Sequence, residues 1–265
     1  MTALGAAPVP GRGRRKEILF FVLPNLFTTA NLFFGFFSVL SSIRGQWENA
    51  AFSIFIAAFA DAFDGRVARM TKAQSAFGEQ YDSMADLMSF GMAPAMLFYL
   101  WALEPYGKWG YAAAFVFLLC AALRLTRFNV LKQTVEKRYF QGLPSPLAGL
   151  TIASSVLFYR ELGREFGEAG VKEPFMLVIV LVAAITMIST LRYRSFKDLK
   201  FKSQKTFAWL FLIATALVVF SPKPELTFFP LAALYIVSAP VGELLRFVGQ
   251  RLIRAKLWTR FKKHN

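Results

Sequence analysis

The stretch DAFDGRVARMTKAQSAFGEQYDSMAD (Asp61–Asp86) places four aspartates between two apolar segments. FSIFIAAFA precedes the first of these aspartates and LMSFGMAPAMLFYLWAL follows the last. The polar part between them is short, so helices formed by the two apolar segments would be antiparallel neighbours. The stretch therefore predicts a helical hairpin with carboxylates at one end.

The whole chain has the composition of a membrane protein. It has 265 residues, of which 56% are hydrophobic, whereas soluble domains average about 45–50%. The one cysteine, Cys120, lies in an apolar run and the only histidine, His264, is next to the end, so we expect no disulfide and no buried histidine ligand. Apolar stretches of about 20 residues are long enough to cross a bilayer. We predict an all-α integral membrane protein with eight transmembrane helices, at residues 21–43, 48–70, 78–103, 109–131, 144–161, 174–195, 206–222 and 226–247.

Positive charge is unevenly distributed over the predicted connections. In a soluble protein the formal net charge of +15 would suggest nucleic acid binding, but here we expect no nucleic acid partner, because Lys and Arg anchor cytoplasmic loops and attract anionic membrane lipids. Only six of the 31 Lys and Arg residues fall on the side opposite the termini: Arg44, Lys108, Arg160, Arg164, Lys172 and Lys223. This asymmetry predicts that both termini and the four aspartates lie on the cytoplasmic face.

The predicted domain organisation is one membrane domain with two basic ends. We expect residues 1–16, rich in Gly, Ala and Pro, to be disordered. We predict that residues 17–247 form the transmembrane domain, with a core at about residues 21–222. Residues 248–265 resemble a basic amphipathic helix lying on the inner leaflet.

The four aspartates are spaced as two pairs on helix faces. Asp61 and Asp64 are three residues apart, and Asp82 and Asp86 are four apart, so each pair shares a face. Carboxylates packed together repel one another unless a cation lies among them. Oxygen ligands suit Mg²⁺ or Mn²⁺ rather than zinc, and four carboxylates are enough to hold two such ions.

Ordinary structural roles are the alternative for some of these residues. Acidic groups at helix ends are often solvated or paired with a cation, as Asp64 and Asp82 would be with Arg66, Arg69 or Lys72. Asp86 lies about two turns into its span, where ionisable residues are usually functional. Gly65 and Ala68 would let a flat ligand approach the backbone, or would simply let two helices pack closely.

The spacing D-x2-D-G-x2-A-R-x8-G-x3-D-x3-D resembles the signature of the CDP-alcohol phosphotransferase family, with every position matched. The matched residues are Asp61, Asp64, Gly65, Ala68, Arg69, Gly78, Asp82 and Asp86. The resemblance implies transfer of a phosphatidyl or similar group from a CDP-linked donor to an alcohol, with release of CMP. It also implies two divalent cations, Mg²⁺ or Mn²⁺, held by Asp61, Asp64 and Asp82. Asp86 would be a further ligand and the general base.

Further stretches resemble the bacterial, membrane-integral branch of the family that makes phosphatidylserine. These stretches are PNLFTTANLFFGF (Pro24–Phe37), YDSMADLMSFGMAPA (Tyr81–Ala95), LRLTRFNV (Leu123–Val130) and FQGLPSPLAG (Phe140–Gly149). One position departs, because Thr126 stands where that branch commonly has alanine. The implied partners are CDP-diacylglycerol, L-serine and membrane lipids, in a homodimer of the bacterial inner membrane with its active site on the cytoplasmic side. Residues implied in nucleotide or CDP-lipid binding are Asn25, Gly65, Ala68, Arg69, Ser75 and Gly78.

The acceptor alcohol is the least determined part of this hypothesis. Arg124, Arg127 and Asn129 are candidates for binding the carboxylate of serine, because arginine pairs well with carboxylates. The same arginines would suit the phosphate of glycerol 3-phosphate or an inositol phosphate, or would only anchor the helix at the membrane surface. A divalent-cation transporter is the alternative from another class, although spans five to eight offer few charges to line a path.

Overall fold

The structure, a computed structural model, describes residues 12–71, 75–132, 140–166, 172–189, 192–193 and 227–238. Seven helices lie in these ranges: α1 (Arg12–Ile43), α2 (Trp47–Thr71), α3 (Ala76–Tyr106), α4 (Lys108–Lys132), α5 (Ser145–Phe166), α6 (Lys172–Ile188) and α7 (Thr227–Ser238). The described chain also has two short strands, β1 (Phe140–Gln141) and β2 (Arg192–Tyr193), which pair in antiparallel fashion. The architecture is helical, as expected, apart from this small pairing.

The first five helices coincide with the first five predicted spans. α1 begins at Arg12, within the segment expected to be disordered. α6 ends at Ile188, short of the predicted end at residue 195, because the chain then forms β2. The predicted span 206–222 and the basic tail 248–265 lie outside the described residues, and α7 is the described part of the predicted span 226–247.

Three of the described helices are long and apolar enough to cross a membrane. They comprise Asn25–Ile43 of α1, all of α3, and Lys108–Val130 of α4. Shorter apolar helices are present at Met176–Ile188 and Thr227–Ser238. These helices are consistent with the predicted membrane protein, while eight spans and the cytoplasmic termini stay predictions.

α1 and α2 pack as a close antiparallel pair. The turn between them includes Gly45, whose φ of 70° is in the left-handed region that favours glycine. Ala50 and Ala57 of α2 are fully buried, and the hydroxyl of Ser38 on α1 donates to the carbonyl of Ala50 at 2.8 Å. Small side chains thus let the two backbones approach, which brings the end of α2 beside the start of α1.

α3 departs from regular α-helical geometry in the middle of the core. It is α-helical up to Asp86 and then forms a π-helical segment at Leu87–Met92. Gly35 of α1 lies so close to Ser89 that a Cβ at this glycine would overlap the serine side chain, and a Cβ at Gly149 of α5 would approach Phe90 to 3.2 Å. π-Helical segments occur frequently at functional sites, and here the segment begins directly after an aspartate.

The core surrounds α3 and is built mainly from large apolar side chains. Its large fully buried side chains include Ile54 of α2, Phe90, Leu97 and Phe98 of α3, Phe117 of α4, Ile152 of α5 and Val180 of α6. The aspartates lie towards the ends of α2 and α3 that meet at the connection between these helices. The packed core therefore fixes the helices that carry the site.

The segment before α5 is held against the end of α6. The backbone N–H of Leu143 donates to the carbonyl of Thr186 at 3.0 Å. Gly142 has a φ of 84°, and a Cβ there would collide with the carbonyl oxygen of Met187. This close approach requires glycine, and it fixes where Ser145 begins α5.

Candidate active site

Three of the four aspartates converge at the meeting point of α2 and α3. Asp61 and Asp64 belong to α2 and Asp82 to α3, and one carboxylate oxygen from each lies within 4.8 Å of the other two. Asp64 is only 4% exposed, and the other two carboxylates are partly buried. These hard oxygen donors, held together despite their mutual repulsion, fit a divalent cation such as Mg²⁺ or Mn²⁺.

The carboxylate of Asp64 is supported from α1. The hydroxyl of Thr28 donates to Asp64 Oδ2 at 3.1 Å, and Thr28 is itself buried. Hydrogen bonds of this kind orient metal-binding carboxylates from outside the first ligand shell. Gly65 follows Asp64 directly, so its backbone borders the carboxylate group.

Asp86 has a separate position. Among the described residues, it is outside the group of oxygens within 4.8 Å that Asp61, Asp64 and Asp82 form. It nevertheless lies close enough to Asp61 for their charges to interact. Its Oδ1 accepts a hydrogen bond from Asn31 Nδ2 at 3.1 Å. Asp86 is therefore outside the group of three converging carboxylates and is hydrogen-bonded to an amide from α1.

Arg124 of α4 is a cation that lies near the carboxylate of Asp86. It lies close enough to Asp86 and Asp61 to interact with their charges. Its Nη1 donates to the hydroxyl of Ser145 at 2.6 Å, and Ser145 is fully buried at the start of α5. The structure thus brings one predicted carboxylate-binding arginine to the aspartates and fixes it with a hydroxyl.

Arg127 and Asn129, the other two predicted acceptor-binding residues, have different contacts. Arg127 Nη1 donates to the carbonyl of Ile188, the last residue of α6, at 3.3 Å. A cation there satisfies a terminal helix carbonyl and complements the helix dipole. Asn129 Nδ2 donates to the hydroxyl of Ser83 on α3 at 2.8 Å. Both contacts join helices to each other.

Three of the predicted nucleotide-binding residues lie together at the start of α3. Ser75 is the N-cap of α3, and its side chain accepts from the backbone N–H of Gly78 at 3.0 Å. A Cβ placed on Gly78 would lie 3.5 Å from Asn25 Oδ1. A helix N-terminus favours phosphate groups, so this position suits a nucleotide diphosphate. The side chains of Ala68 and Arg69 lie outside the described part of the structure.

Thr28 and Asn31 are not among the site residues predicted from the sequence, although α1 contains a signal for them. Asn25, Thr28, Asn31, Gly35 and Ser38 follow one another at intervals of three or four residues. That spacing places polar and small residues on one helix face. A polar face on an apolar span predicts contact with a polar site, and this face does contact Asp64 and Asp86.

A family model and several similar proteins match this chain. A family model described as CDP-alcohol phosphatidyltransferase matches residues 21–188. The CDP-diacylglycerol–serine O-phosphatidyltransferase of Helicobacter pylori strain 26695 is 34% identical over 228 residues, which cover 86% of this chain and 93% of that protein. The archaetidylserine synthase of Methanothermobacter thermautotrophicus is 36% identical over 68% of this chain and 72% of that protein. A Bacillus subtilis CDP-diacylglycerol–serine O-phosphatidyltransferase is 33% identical over 56% of this chain and 82% of that protein.

Proposed function

Because the chain belongs to the CDP-alcohol phosphatidyltransferase family, we propose that it transfers the phosphatidyl group of CDP-diacylglycerol to the hydroxyl of L-serine, producing phosphatidylserine and CMP. The observation that carries this proposal is the convergence of carboxylate oxygens from Asp61, Asp64 and Asp82 within 4.8 Å, beside the separately held Asp86. The similar proteins of Helicobacter pylori and Bacillus subtilis are named for the same transfer.

The proposed mechanism divides the work between two groups of carboxylates. Asp61, Asp64 and Asp82 would hold two divalent cations, Mg²⁺ or Mn²⁺, whose positive charge would offset the phosphate charges of the donor and stabilise CMP as the leaving group. Asp86 accepts the proton of the serine hydroxyl as that oxygen attacks the phosphorus. Asn31 keeps the Asp86 carboxylate in position through its hydrogen bond to Oδ1. Asp86 would be a further metal ligand, as the family resemblance implies.

Substrate binding follows from the groups around these carboxylates. Arg124 pairs with the carboxylate of serine, and the hydroxyl of Ser145 fixes the guanidinium for that purpose. The diphosphate of the donor binds at the start of α3, near Ser75 and Gly78. Its acyl chains stay in the bilayer beside the apolar helices, which explains why a membrane protein catalyses this transfer.

We place the site at the cytoplasmic surface of a bacterial inner membrane. Supporting this orientation, the Lys and Arg residues collect on the side of the termini in the eight-span topology. The similar proteins of Helicobacter pylori and Bacillus subtilis are bacterial. The functional unit in this proposal is a homodimer, as the family resemblance implies.

The proposed reaction predicts CMP release that depends on serine. Purified protein receives CDP-diacylglycerol with Mn²⁺ or Mg²⁺, and serine, glycerol 3-phosphate and an inositol phosphate are supplied separately. We expect serine alone to support CMP release, and EDTA to abolish it. Release with glycerol 3-phosphate instead would reassign the acceptor, and full activity in EDTA would rule out the metal mechanism.

Arg124→Ala should raise the KM for serine more than the KM for CDP-diacylglycerol. Removing a charge-assisted hydrogen bond costs about 1.5–3 kcal/mol, which corresponds to roughly a ten- to hundredfold change. Arg127→Ala is the matched comparison, because Arg127 is one turn further along α4 and contacts the end of α6. Its effect on the serine KM should be smaller. Steady-state kinetics with each substrate varied in turn measure both constants, and a change confined to the lipid KM would make Arg124 a donor-binding residue.

A further inference from the structure

Asn31 is a buried amide with defined contacts beside the candidate site. Its side chain is fully buried, with 0% exposure. Nδ2 donates to Asp86 Oδ1 at 3.1 Å, and the backbone carbonyl of Asn31 accepts from the hydroxyl of Ser89 at 2.8 Å. The side-chain oxygen, Oδ1, is also buried and has no hydrogen-bond partner within the described ranges.

The orientation of this amide is fixed by its neighbour. A carboxylate only accepts hydrogen bonds, so the NH₂ group of Asn31 must face Asp86. The opposite orientation would bring the amide oxygen against a carboxylate oxygen. Buried polar atoms nearly always have a hydrogen-bond partner. Oδ1 of Asn31 is therefore an acceptor, beside the proposed base, that a donor group on a bound ligand would satisfy.

We propose that Asn31 Oδ1 accepts a hydrogen bond from the ammonium group of the serine acceptor, which makes Asn31 a specificity-determining residue. This inference rests on the proposed function. Serine offers donors at its hydroxyl and its ammonium group. The single hydroxyl proton goes to Asp86, and the carboxylate of serine has no proton to donate, so the ammonium group is the donor that remains.

The helix arrangement allows three groups to hold one small acceptor. Asn31 comes from α1 and Arg124 from α4, and both helices pack on the π-helical segment that follows Asp86. Asp86 would contact the hydroxyl, Arg124 the carboxylate and Asn31 the ammonium group of the same serine. Glycerol 3-phosphate and inositol phosphates have no ammonium group, so they would give the buried Oδ1 only a neutral hydroxyl donor, which makes a weaker hydrogen bond than a charged ammonium group.

Asn31→Leu tests the inference because leucine has a similar shape and no polar atoms. We expect the KM for serine to rise about ten- to hundredfold, with the KM for CDP-diacylglycerol nearly unchanged. Ser38→Ala is the matched control, since Ser38 is buried on the same face of α1 and its hydroxyl donates to the backbone carbonyl of Ala50 on α2. It should leave the serine KM unchanged.

Two competitive inhibitors separate the ammonium group from the rest of serine. L-Alanine keeps the ammonium and carboxylate groups without the hydroxyl, whereas 3-hydroxypropanoate keeps the hydroxyl and carboxylate without the ammonium. Asn31→Leu should raise the inhibition constant of L-alanine by the same factor as the serine KM and leave that of 3-hydroxypropanoate unchanged. Equal changes for both inhibitors, or an unchanged serine KM, would overturn the inference.

Binding measurements cover the case in which turnover is lost. Equilibrium dialysis with radiolabelled L-serine, in the presence of Mn²⁺ and CMP, compares the wild type with Asn31→Leu and Asn31→Ala. Weaker serine binding in both variants supports the inference, and equal binding in the wild type and either folded variant overturns it. Failure of the proposed function is distinguishable, because the wild type itself would then release no CMP with serine.

Discussion

Asp86→Asn is expected to lower the turnover number for CMP release by at least about a hundredfold, since general-base catalysis contributes roughly 10²–10⁴-fold. Asparagine has nearly the same size as aspartate and keeps one oxygen that accepts the hydrogen bond from Asn31. It cannot take up a proton at neutral pH. Donor binding should persist, because Asp61, Asp64 and Asp82 are unchanged.

Two measurements distinguish a base from a metal ligand at this position. CMP release at saturating serine gives the turnover number, and metal-dependent binding of CDP-diacylglycerol reports on the site itself. Glu79→Gln is the control, because Glu79 is an exposed acidic residue in the first turn of α3, and it should keep normal turnover. If Asp86→Asn kept more than about a tenth of wild-type turnover, Asp86 would not be the base. If the variant instead lost donor binding as completely as Asp61→Asn, Asp86 would be chiefly a metal ligand.

The convergence of the acidic residues could be predicted because it depends on local geometry. Spacings of three and four residues place side chains on one helix face, and a short connection makes the two helices neighbours. The structure brings Asp61 and Asp64 to Asp82 in this way. The family prediction drawn from the same spacing is confirmed by the match over residues 21–188.

The separate position of Asp86 shows where helical spacing alone is insufficient. Four residues advance a helix by about 6 Å along its axis, so Asp82 and Asp86 share a face at different heights. Asp82 joins Asp61 and Asp64 in a group of oxygens that all lie within 4.8 Å of one another, and Asp86 is not a member of this group. The π-helical segment after Asp86 also depends on tertiary contacts, because it forms where Gly35 of α1 approaches Ser89. Neither feature follows from residue spacing within α3.

The two arginines of α4 illustrate the same limit. Arg124 and Arg127 are three residues apart, and nothing in the sequence distinguishes them as candidate partners for a carboxylate. Their roles diverge because α5 places Ser145 against Arg124, whereas α6 ends at Arg127. The position of α5 depends in turn on the backbone contact between Leu143 and Thr186. Such long-range contacts cannot be read from the LRLTRFNV stretch.

Asp64→Asn should weaken Mn²⁺ binding more than any change outside the carboxylate group. Asp64 is the most buried of the three converging carboxylates and supplies one of their clustered oxygens. Loss of a residue that only supports a metal ligand typically costs 10–100-fold in affinity, so loss of this ligand's charge should cost about a hundredfold or more. Turnover should be lost together with metal-dependent binding of CDP-diacylglycerol, in contrast to Asp86→Asn.

Thr28→Val provides an intermediate case for the same measurement. Valine matches the shape of threonine but cannot donate to Asp64 Oδ2, so Mn²⁺ affinity should fall by about 10–100-fold. The adjacent Thr29→Val is the matched control, because the hydroxyl of Thr29 contacts the Asn25 carbonyl and Tyr81. Mn²⁺ affinity, measured from free Mn²⁺ by electron paramagnetic resonance without substrates, should follow the order Thr29→Val, Thr28→Val, Asp64→Asn from strongest to weakest. Wild-type affinity in Asp64→Asn would show that this buried carboxylate does not bind the metal.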